Sequence, residues 1–294
     1  MRRRVLPPLA LAACAAALAA VVTGAASAAR TSPAAGSVPA ALARAASATE
    51  RVPGYTFQFA TLTTGPSLST PIHYVTTGTL RGGTTPFADV QVDMGQKVRN
   101  SAGNYEPGRY RVIATGTAGT ERLLVTGVVF ERALTRGLPW GSIDSASLKK
   151  KGIFARDRLI PGADAAAYIT LLRIPGTKLK VVEQVKSKGV SATHYKVTVD
   201  VAALVNGAGV GKAAADHLQF LYPSELKTDT YDAWIDANGV LRQLLFVFPV
   251  GPPASKATYR LDVSLTPLRT APQLELPDSA LIEDITSLYL PKKG

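Results

Sequence analysis

Alternation of apolar and polar residues with a period of two recurs along most of this chain and restricts its fold more than any other feature. The clearest case is the segment 193–200, in which Tyr195, Val197 and Val199 alternate with polar residues. Because successive side chains of a strand point to opposite faces, this segment has one apolar and one polar side. One-sided strands are typical of an antiparallel sheet with one face in water.

Further segments show the same pattern or a short apolar run and predict further strands. They cover residues 55–60, 72–80, 87–93, 109–116, 122–126, 128–132, 181–186, 231–236, 240–248 and 258–265. Asn238-Gly239 predicts a two-residue hairpin turn between two of them, because both central positions of such a turn favour positive φ. That hairpin would place the following residues on one face: Tyr231, Ala233, Ile235, Leu244, Phe246 and Phe248.

Helices are expected to be few. The segments 38–51, 162–173 and 212–221 have helical character, and 101–107 is predicted to be a loop. A sheet of about eleven strands is too large to stay flat and should curl. The sequence therefore predicts an α+β fold: a curved antiparallel sheet, or half β-barrel, whose concave face is covered by a few helices.

The N-terminus predicts export. Residues 1–28 resemble a signal peptide, with arginines at positions 2–4, an apolar stretch and a small-residue site before Ala29. Residues 29–37 then form a linker, and 38–294 form the folded domain. Cys14 ends a lipobox-like Leu-Ala-Ala-Cys run and is a possible lipidation site. The favoured alternative is a small residue inside the apolar stretch, since the chain stays apolar up to Ala29. The protein is thus expected to be secreted or associated with the cell envelope.

Catalytic and metal-binding signatures are weak. Cys14 is the only cysteine, which excludes a disulfide framework or a cysteine-based metal site. His73, His194 and His217 show no zinc-type spacing, and His73 and His194 are assigned to solvent-exposed strand faces. No G-x-S-x-G motif occurs, although a dispersed Ser/His/Asp set stays open. We expect no enzyme, no cofactor and no metal.

Charge points to an anionic surface. The chain has a net charge of +12. A basic run at 149–151 is accompanied by Lys178, Lys180, Lys186 and Lys188. These lysines form either an ordinary solvated face or a site of transient attraction to an anionic membrane. Nucleic acid is not an expected partner for an exported protein.

The apolar face is either a filled core or a ligand cavity. Its aromatic and aliphatic residues are the candidate ligand-binding set. The set comprises Tyr55, Phe57, Phe59, Tyr168, Leu171, Leu172, Tyr195, Val197, Val199, Ala233, Ile235, Leu244, Phe246, Phe248, Tyr259 and Leu261.

Three segments resemble the LppX/LprG-type lipoproteins of mycobacteria and their actinobacterial relatives. They are the strand at 192–200 (ATHYKVTVD), the hairpin at 233–242 (AWIDANGVLR) and the ending that runs from Leu276-Pro277-Asp278 to Asp284-Ile285-Thr286. The resemblance covers most of residues 38–290. It implies a LolA-like half-barrel that carries the acyl chains of a lipid or glycolipid through the cell envelope, without catalytic residues.

The sequence is thus interpreted as an exported, monomeric lipid carrier, with the helix at 163–173 as a lid. Two alternatives remain: a ligand-free sensor or interaction domain of the same fold, and an exported hydrolase.

Overall fold

The computed structural model describes residues 39–66, 68–81, 87–116, 121–135, 137–150, 159–160, 169–174, 177–187, 189–201, 228–250 and 257–290. Several predicted features lie outside these ranges: the signal peptide with Cys14, the linker, the helix over 212–221, and the residues Tyr168, Lys151, Lys188 and His217.

The described residues form one large, curved and unclosed sheet of twelve strands, which confirms the predicted half-barrel α+β fold. The strands are β1 (Tyr55–Thr64), β2 (Ile72–Arg81), β3 (Phe87–Arg99), β4 (Tyr105–Thr115), β5 (Arg122–Gly127), β6 (Trp140–Asp144), β7 (Lys178–Ser187), β8 (Val190–Asp200), β9 (Thr228–Asp236), β10 (Leu241–Val250), β11 (Ala257–Pro267) and β12 (Ile282–Asp284). Their order in the sheet is β12-β6-β5-β4-β3-β2-β1-β11-β10-β9-β8-β7. Neighbours pair antiparallel, except that β12 runs parallel to β6.

Helix α1 (Ala40–Glu50) confirms the predicted N-terminal helix. Leu42, Ala45 and Ala46 are fully buried. The helix is joined to the sheet by Thr49, whose hydroxyl accepts a hydrogen bond from the Leu241 amide at 3.0 Å and whose carbonyl accepts one from the Tyr55 phenol. The small alanines let the helix approach the sheet closely, at the end where β10 begins.

The strand predicted at 128–132 is wrong. Residues 128–133 form a turn, in which the Phe130 amide donates to the Gly127 carbonyl at 2.9 Å. Gly127 ends β5 at φ 120°, a conformation that glycine adopts readily. Phe130 then folds inward and packs edge-on against Tyr110, with ring centroids 5.5 Å apart. Phe130 and Val129 thus reach the core from a turn and not from a strand.

Smaller differences concern segment ends. The predicted loop over 101–107 is shorter, because β4 already begins at Tyr105. The short elements β6, β12 and helix α2 (Ser145–Lys149) were not predicted. Elements this short offer too few residues for a period to be recognised.

The hairpin predicted at Asn238-Gly239 is present, but its turn is longer than two residues. The Asp236 amide donates to the Val240 carbonyl at 3.0 Å, and the Asp236 carboxylate accepts from the amides of Asn238 and Val240, both at 2.9 Å. Gly239 has φ 78°. The ladder shifts between Leu241 and Gln243, and Ala233 still lies opposite Leu244. The residues of β9 and β10 that were predicted to share one face therefore do so.

The C-terminal strap (residues 268–290) runs from the end of β11, in the middle of the sheet, to the edge formed by β6 and β12. The Leu268 amide donates to the Gly54 carbonyl at 2.8 Å near the start of β1. At the far edge, Glu283 accepts bonds from the amide and hydroxyl of Thr135 at 2.7 and 2.8 Å. The strap thus ties both halves of the sheet together through backbone and side-chain hydrogen bonds.

Candidate functional site

The predicted apolar set gathers on the concave face of the sheet. Most of its described members are at most 6% exposed. These are Tyr55, Phe57, Phe59, Leu171, Leu172, Val197, Val199, Ala233, Ile235, Leu244, Phe246, Phe248 and Leu261. Tyr195 and Tyr259 are half-buried and pack against the same cluster. The alternation read from the sequence thus assigns the inward side correctly on five strands.

One row of paired residues crosses the concave face almost from edge to edge. It begins at Val181 in β7 and ends at Gly127 in β5. Between them the ladder pairs Tyr195, Ala233, Leu244, Val263, Phe59, Thr76, Val92 and Tyr110 in turn. The middle of the row is buried, Tyr195 is half-buried and Val181 is 59% exposed. The apolar interior therefore reaches solvent at the β7 edge.

Aromatic rings pack along this face. Tyr231 and Phe246 have ring centroids 4.9 Å apart, and Phe248 and Tyr259 have centroids 5.2 Å apart. Tilted ring pairs at such distances add to the burial energy. Burial also raises the pKa of the Tyr231 phenol well above its usual range, so that it stays a neutral hydrogen-bond donor.

The candidate set predicted from the sequence did not include the buried residues on the concave face of β3 to β6. Val90, Val92, Val112, Val125 and Ile143 are all at most 1% exposed and belong to the same cluster. Their strands, apart from β6, were predicted, and the alternation of Val90 and Val92 with polar neighbours was the available signal. The concave face is therefore about twice as wide as the candidate set indicated.

The concave face is closed by a cover, here the residues 159–160 and 169–174. Leu159, Ile160, Ile169, Leu171, Leu172 and Ile174 are buried and belong to the core cluster. Polar contacts also join the cover to the rest of the protein, among them the bond that the Thr177 hydroxyl donates to the Ile174 carbonyl at 2.7 Å. The Tyr231 phenol donates to the Leu171 carbonyl at 3.2 Å, and Arg173 forms an ion pair with Glu50 at 2.6 Å. The lid predicted over 163–173 is described from residue 169 on.

Two hollows of the described surface lie away from the candidate set. One, of about 530 Å³, is lined by residues of β2 to β5 that include Thr77, Gln91 and Arg109. The other, of about 590 Å³, lies between α1 and the β9–β10 turn. Neither includes a residue of the candidate set. The buried residues of the concave face pack against one another and against the cover in one cluster.

His194 is less exposed than predicted. Its side chain is 15% exposed and lies on the outer face, with Nε2 2.8 Å from the Asp232 carboxylate and Nδ1 3.6 Å from Glu183. The ring stacks on Trp234 at 4.5 Å with an interplanar angle of 8°. The neighbouring indole shields it from water. His73, by contrast, is exposed as predicted.

No group of three or more His, Cys, Asp or Glu side chains within the described ranges is arranged to hold a metal ion. Helices in the same ranges are all too short or too polar to cross a membrane.

The lysines of the predicted basic face that the structure describes lie at the surface. Lys150, Lys178, Lys180 and Lys186 are exposed.

Comparison with known proteins gives structural neighbours only. No protein-family model matches the chain, and no curated protein sequence matches it either. Its neighbours among solved structures include LppX-, LprF- and LolA-type proteins.

The lipoprotein LppX of Mycobacterium tuberculosis is 14% identical over 78% of this chain and 95% of its own, with a TM-score of 0.38. LprF of Mycobacterium bovis is 13% identical over 81% of this chain and 94% of its own, with a TM-score of 0.41. A LolA superfamily protein of Nitrosomonas europaea is 10% identical over 84% and 98%, with a TM-score of 0.28. These are the types of protein that the sequence motifs indicated.

Proposed function

We propose that this protein is an exported carrier that holds the acyl chains of a lipid or glycolipid against the concave face of its sheet. The observation that carries the proposal is a wide, continuous apolar face that packs against the buried apolar side chains of the cover. The described residues of the cover meet the sheet through buried apolar side chains.

The cover is suited to replacement by an acyl chain. Apolar contacts are non-directional, so a hydrocarbon chain can occupy the volume that Leu171, Leu172 and Ile174 fill. Each methylene that leaves water contributes about 0.8 kcal/mol, which makes a long chain a strong competitor. The Arg173–Glu50 pair is exposed on both sides and contributes little to holding the cover.

Localisation follows from the N-terminal sequence. Residues 1–28 direct export, and the mature chain begins at Ala29 in the secreted form or at an acylated Cys14 in a membrane-anchored form. The apolar stretch that continues past Cys14 favours cleavage before Ala29. Intact mass of the exported protein distinguishes the two N-termini. The protein acts as a monomer, touches an anionic membrane transiently through its basic face, and carries out no catalysis.

The burial of residues on the concave face favours a second candidate, a sensor or interaction domain of the same fold that binds no lipid. Residues such as Val197 and Ala233 are 0% exposed in the closed structure, as in an ordinary core. Such a domain would keep its cover in place permanently. It would bind a partner protein through its outer surface instead.

Binding of a fluorescent fatty-acid analogue to the delipidated protein decides between the candidates. A carrier shifts the emission of the probe and releases it to competing unlabelled lipid, and native mass spectrometry of freshly extracted protein finds co-purified lipid. Thr230→Trp, at an exposed position of β9, is the matched control for substitutions on the concave face. Absence of both co-purified lipid and probe binding would reject the carrier.

A further inference from the structure

Strand β7 is the exposed edge of the sheet and carries two adjacent exposed valines. Val181 is 59% and Val182 46% exposed, although valine is usually buried. Within the described ranges, β7 pairs with β8 on one side and with no strand on the other. Two neighbouring exposed valines at one edge are unusual for a strand whose partner, β8, carries buried Val197 and Val199.

A β-bulge explains why both valines are exposed. Val181 pairs with Tyr195 and Glu183 pairs with His194, so Val182 is the extra residue that no partner opposes. Bulges and lysines at a sheet edge interrupt the ladder and discourage the addition of another strand. The β7 edge is therefore poorly suited to pairing with a peptide or with a second copy of this chain.

Lysines flank the valine pair. Lys178, Lys180 and Lys186 are exposed, and Glu183 is the only acid of the strand. Glu183 faces the His194 ring at 3.6 Å, which leaves the lysines as the dominant charge of the edge. Small apolar side chains surrounded by flexible cations fit a layer of anionic lipid headgroups over hydrocarbon.

The same edge is where the concave face opens to solvent. Along the ladder row, exposure rises from the fully buried Ala233 through the half-buried Tyr195 to the exposed Val181. Beside that row, Leu179 pairs with the buried Val197 and packs against the core. An apolar path thus leads from the interior over β7 to the valine pair.

We propose that the β7 edge docks on an anionic membrane and is the side over which an acyl chain enters and leaves the concave face. The path over Tyr195 and Val181 keeps a chain in contact with apolar atoms from the bilayer to the interior. This inference rests on the carrier function for its cargo, whereas the docking surface itself depends only on the valines and the lysines.

Vesicle binding tests the docking surface with the mature, delipidated protein. We expect flotation with vesicles of phosphatidylcholine and phosphatidylglycerol at low salt, and loss of it with pure phosphatidylcholine or at high salt. Lys178→Gln and Lys180→Gln should each weaken binding about fivefold. The matched control Lys97→Gln, at an exposed position of β3, should change less. Equal loss in the control would overturn the proposal.

The valine pair has its own test. Val181→Ser with Val182→Ser should lower vesicle affinity and slow the transfer of a fluorescent acyl probe to vesicles. Val247→Ser, also at an exposed strand position, should do neither. In Val182→Trp, brominated lipids should quench the new indole, and in Val247→Trp they should not. Unquenched fluorescence of Val182→Trp in bound protein would contradict docking through this edge, as would a dimer that forms through β7.

The two proposals fail differently. If the protein binds the probe in solution but does not bind vesicles, the carrier function is supported and docking through the β7 edge is rejected. Vesicle binding that depends on Val181 and Val182 in a protein that binds no probe would keep the dock and reject the carrier.

Discussion

The phenol of Tyr231, in the middle of β9, donates a hydrogen bond to the backbone carbonyl of Leu171, 3.2 Å away and 60 residues earlier in the chain. Both residues are 0% exposed. The bond connects the floor of the concave face directly to the cover. It is buried, in contrast to the exposed pair between Arg173 and Glu50.

Tyr231→Phe should loosen the cover without altering the sheet. The substitution leaves the buried Leu171 carbonyl without this donor, which costs about 1–3 kcal/mol of unfolding free energy. Urea unfolding measures the loss, and stopped-flow mixing with an acyl probe should show faster uptake. Thr198→Ala, on the exposed side of β8, is the control. Unchanged uptake in a destabilised Tyr231→Phe protein would show that the cover does not limit entry.

Ala233→Trp should remove lipid binding. Ala233 lies opposite Tyr195 and Leu244 on the concave face, and an indole there fills the volume that an acyl chain would use. In the closed form the added volume should also destabilise the fold by about 1–3 kcal/mol. Val197→Trp should behave alike, and Thr230→Trp should keep both properties. A probe titration beside a melting curve checks this, and full probe binding by Ala233→Trp would place the lipid elsewhere.

Gly78→Ala should destabilise the sheet. A Cβ atom at Gly78 would lie 2.1 Å from the Asp89 carbonyl oxygen and 2.8 Å from the Val90 Cα, so β2 and β3 would have to separate. We expect a loss of about 1–3 kcal/mol or more. Its neighbour Thr77 is exposed, and Thr77→Ala should be nearly neutral. Denaturant midpoints of the two variants should differ clearly, and equal midpoints would mean that the strands can shift at little cost.

Asp93 should contribute stability that disappears in acid. The Gly95 amide and the Arg109 guanidinium donate to its carboxylate at 2.9 and 2.8 Å, and both hold its pKa below the usual value of 3.8. A pKa lowered by folding gives stability that is present above the unfolded pKa and is lost as pH falls through the folded one. The protein should therefore be more stable than Asp93→Asn at neutral pH. This difference in unfolding free energy should disappear below about pH 4. Urea midpoints across this range measure it, and a constant difference would contradict the assignment.

His194→Ala tests the hydrolase alternative. The imidazole is held by Asp232 and by the face of Trp234, a structural arrangement whose removal should cost about 1 kcal/mol of stability. Turnover of p-nitrophenyl esters should stay at background for the protein and for the variant. His73→Ala, at an exposed position, serves as the comparison. Turnover that is present in the protein and is lost only in His194→Ala would favour a hydrolase.

The regular part of the sheet was predictable because the alternation of apolar and polar residues within a strand shows which of its side chains face inward. Tyr55, Phe57 and Phe59 alternate with polar residues, and that local pattern was sufficient to place them inside. Contacts between distant segments were not predictable in the same way. The partial burial of His194 depends on Trp234 from the neighbouring strand, and no spacing within either strand reveals that the two rings stack.

Segments with few residues also escaped prediction. In β12 only Ile282–Asp284 pair, and they do so because the strap brings them beside Trp140. Phe130 looked like part of a strand because its neighbours are apolar, yet its burial comes from the turn after Gly127. In both cases the tertiary context decides the local structure, which a single sequence does not contain.

The strand order has a consequence for the newly made chain. Strands β1 to β6 are made in sequence and pair with one another as neighbours, apart from the free side of β1. The strand that covers that side, β11, is the next-to-last of the twelve described strands. Until residues 257–267 join the sheet, β1 remains a bare edge, open to pairing with other unfolded chains. A chain that ends shortly before β11 should therefore aggregate where the full-length chain does not.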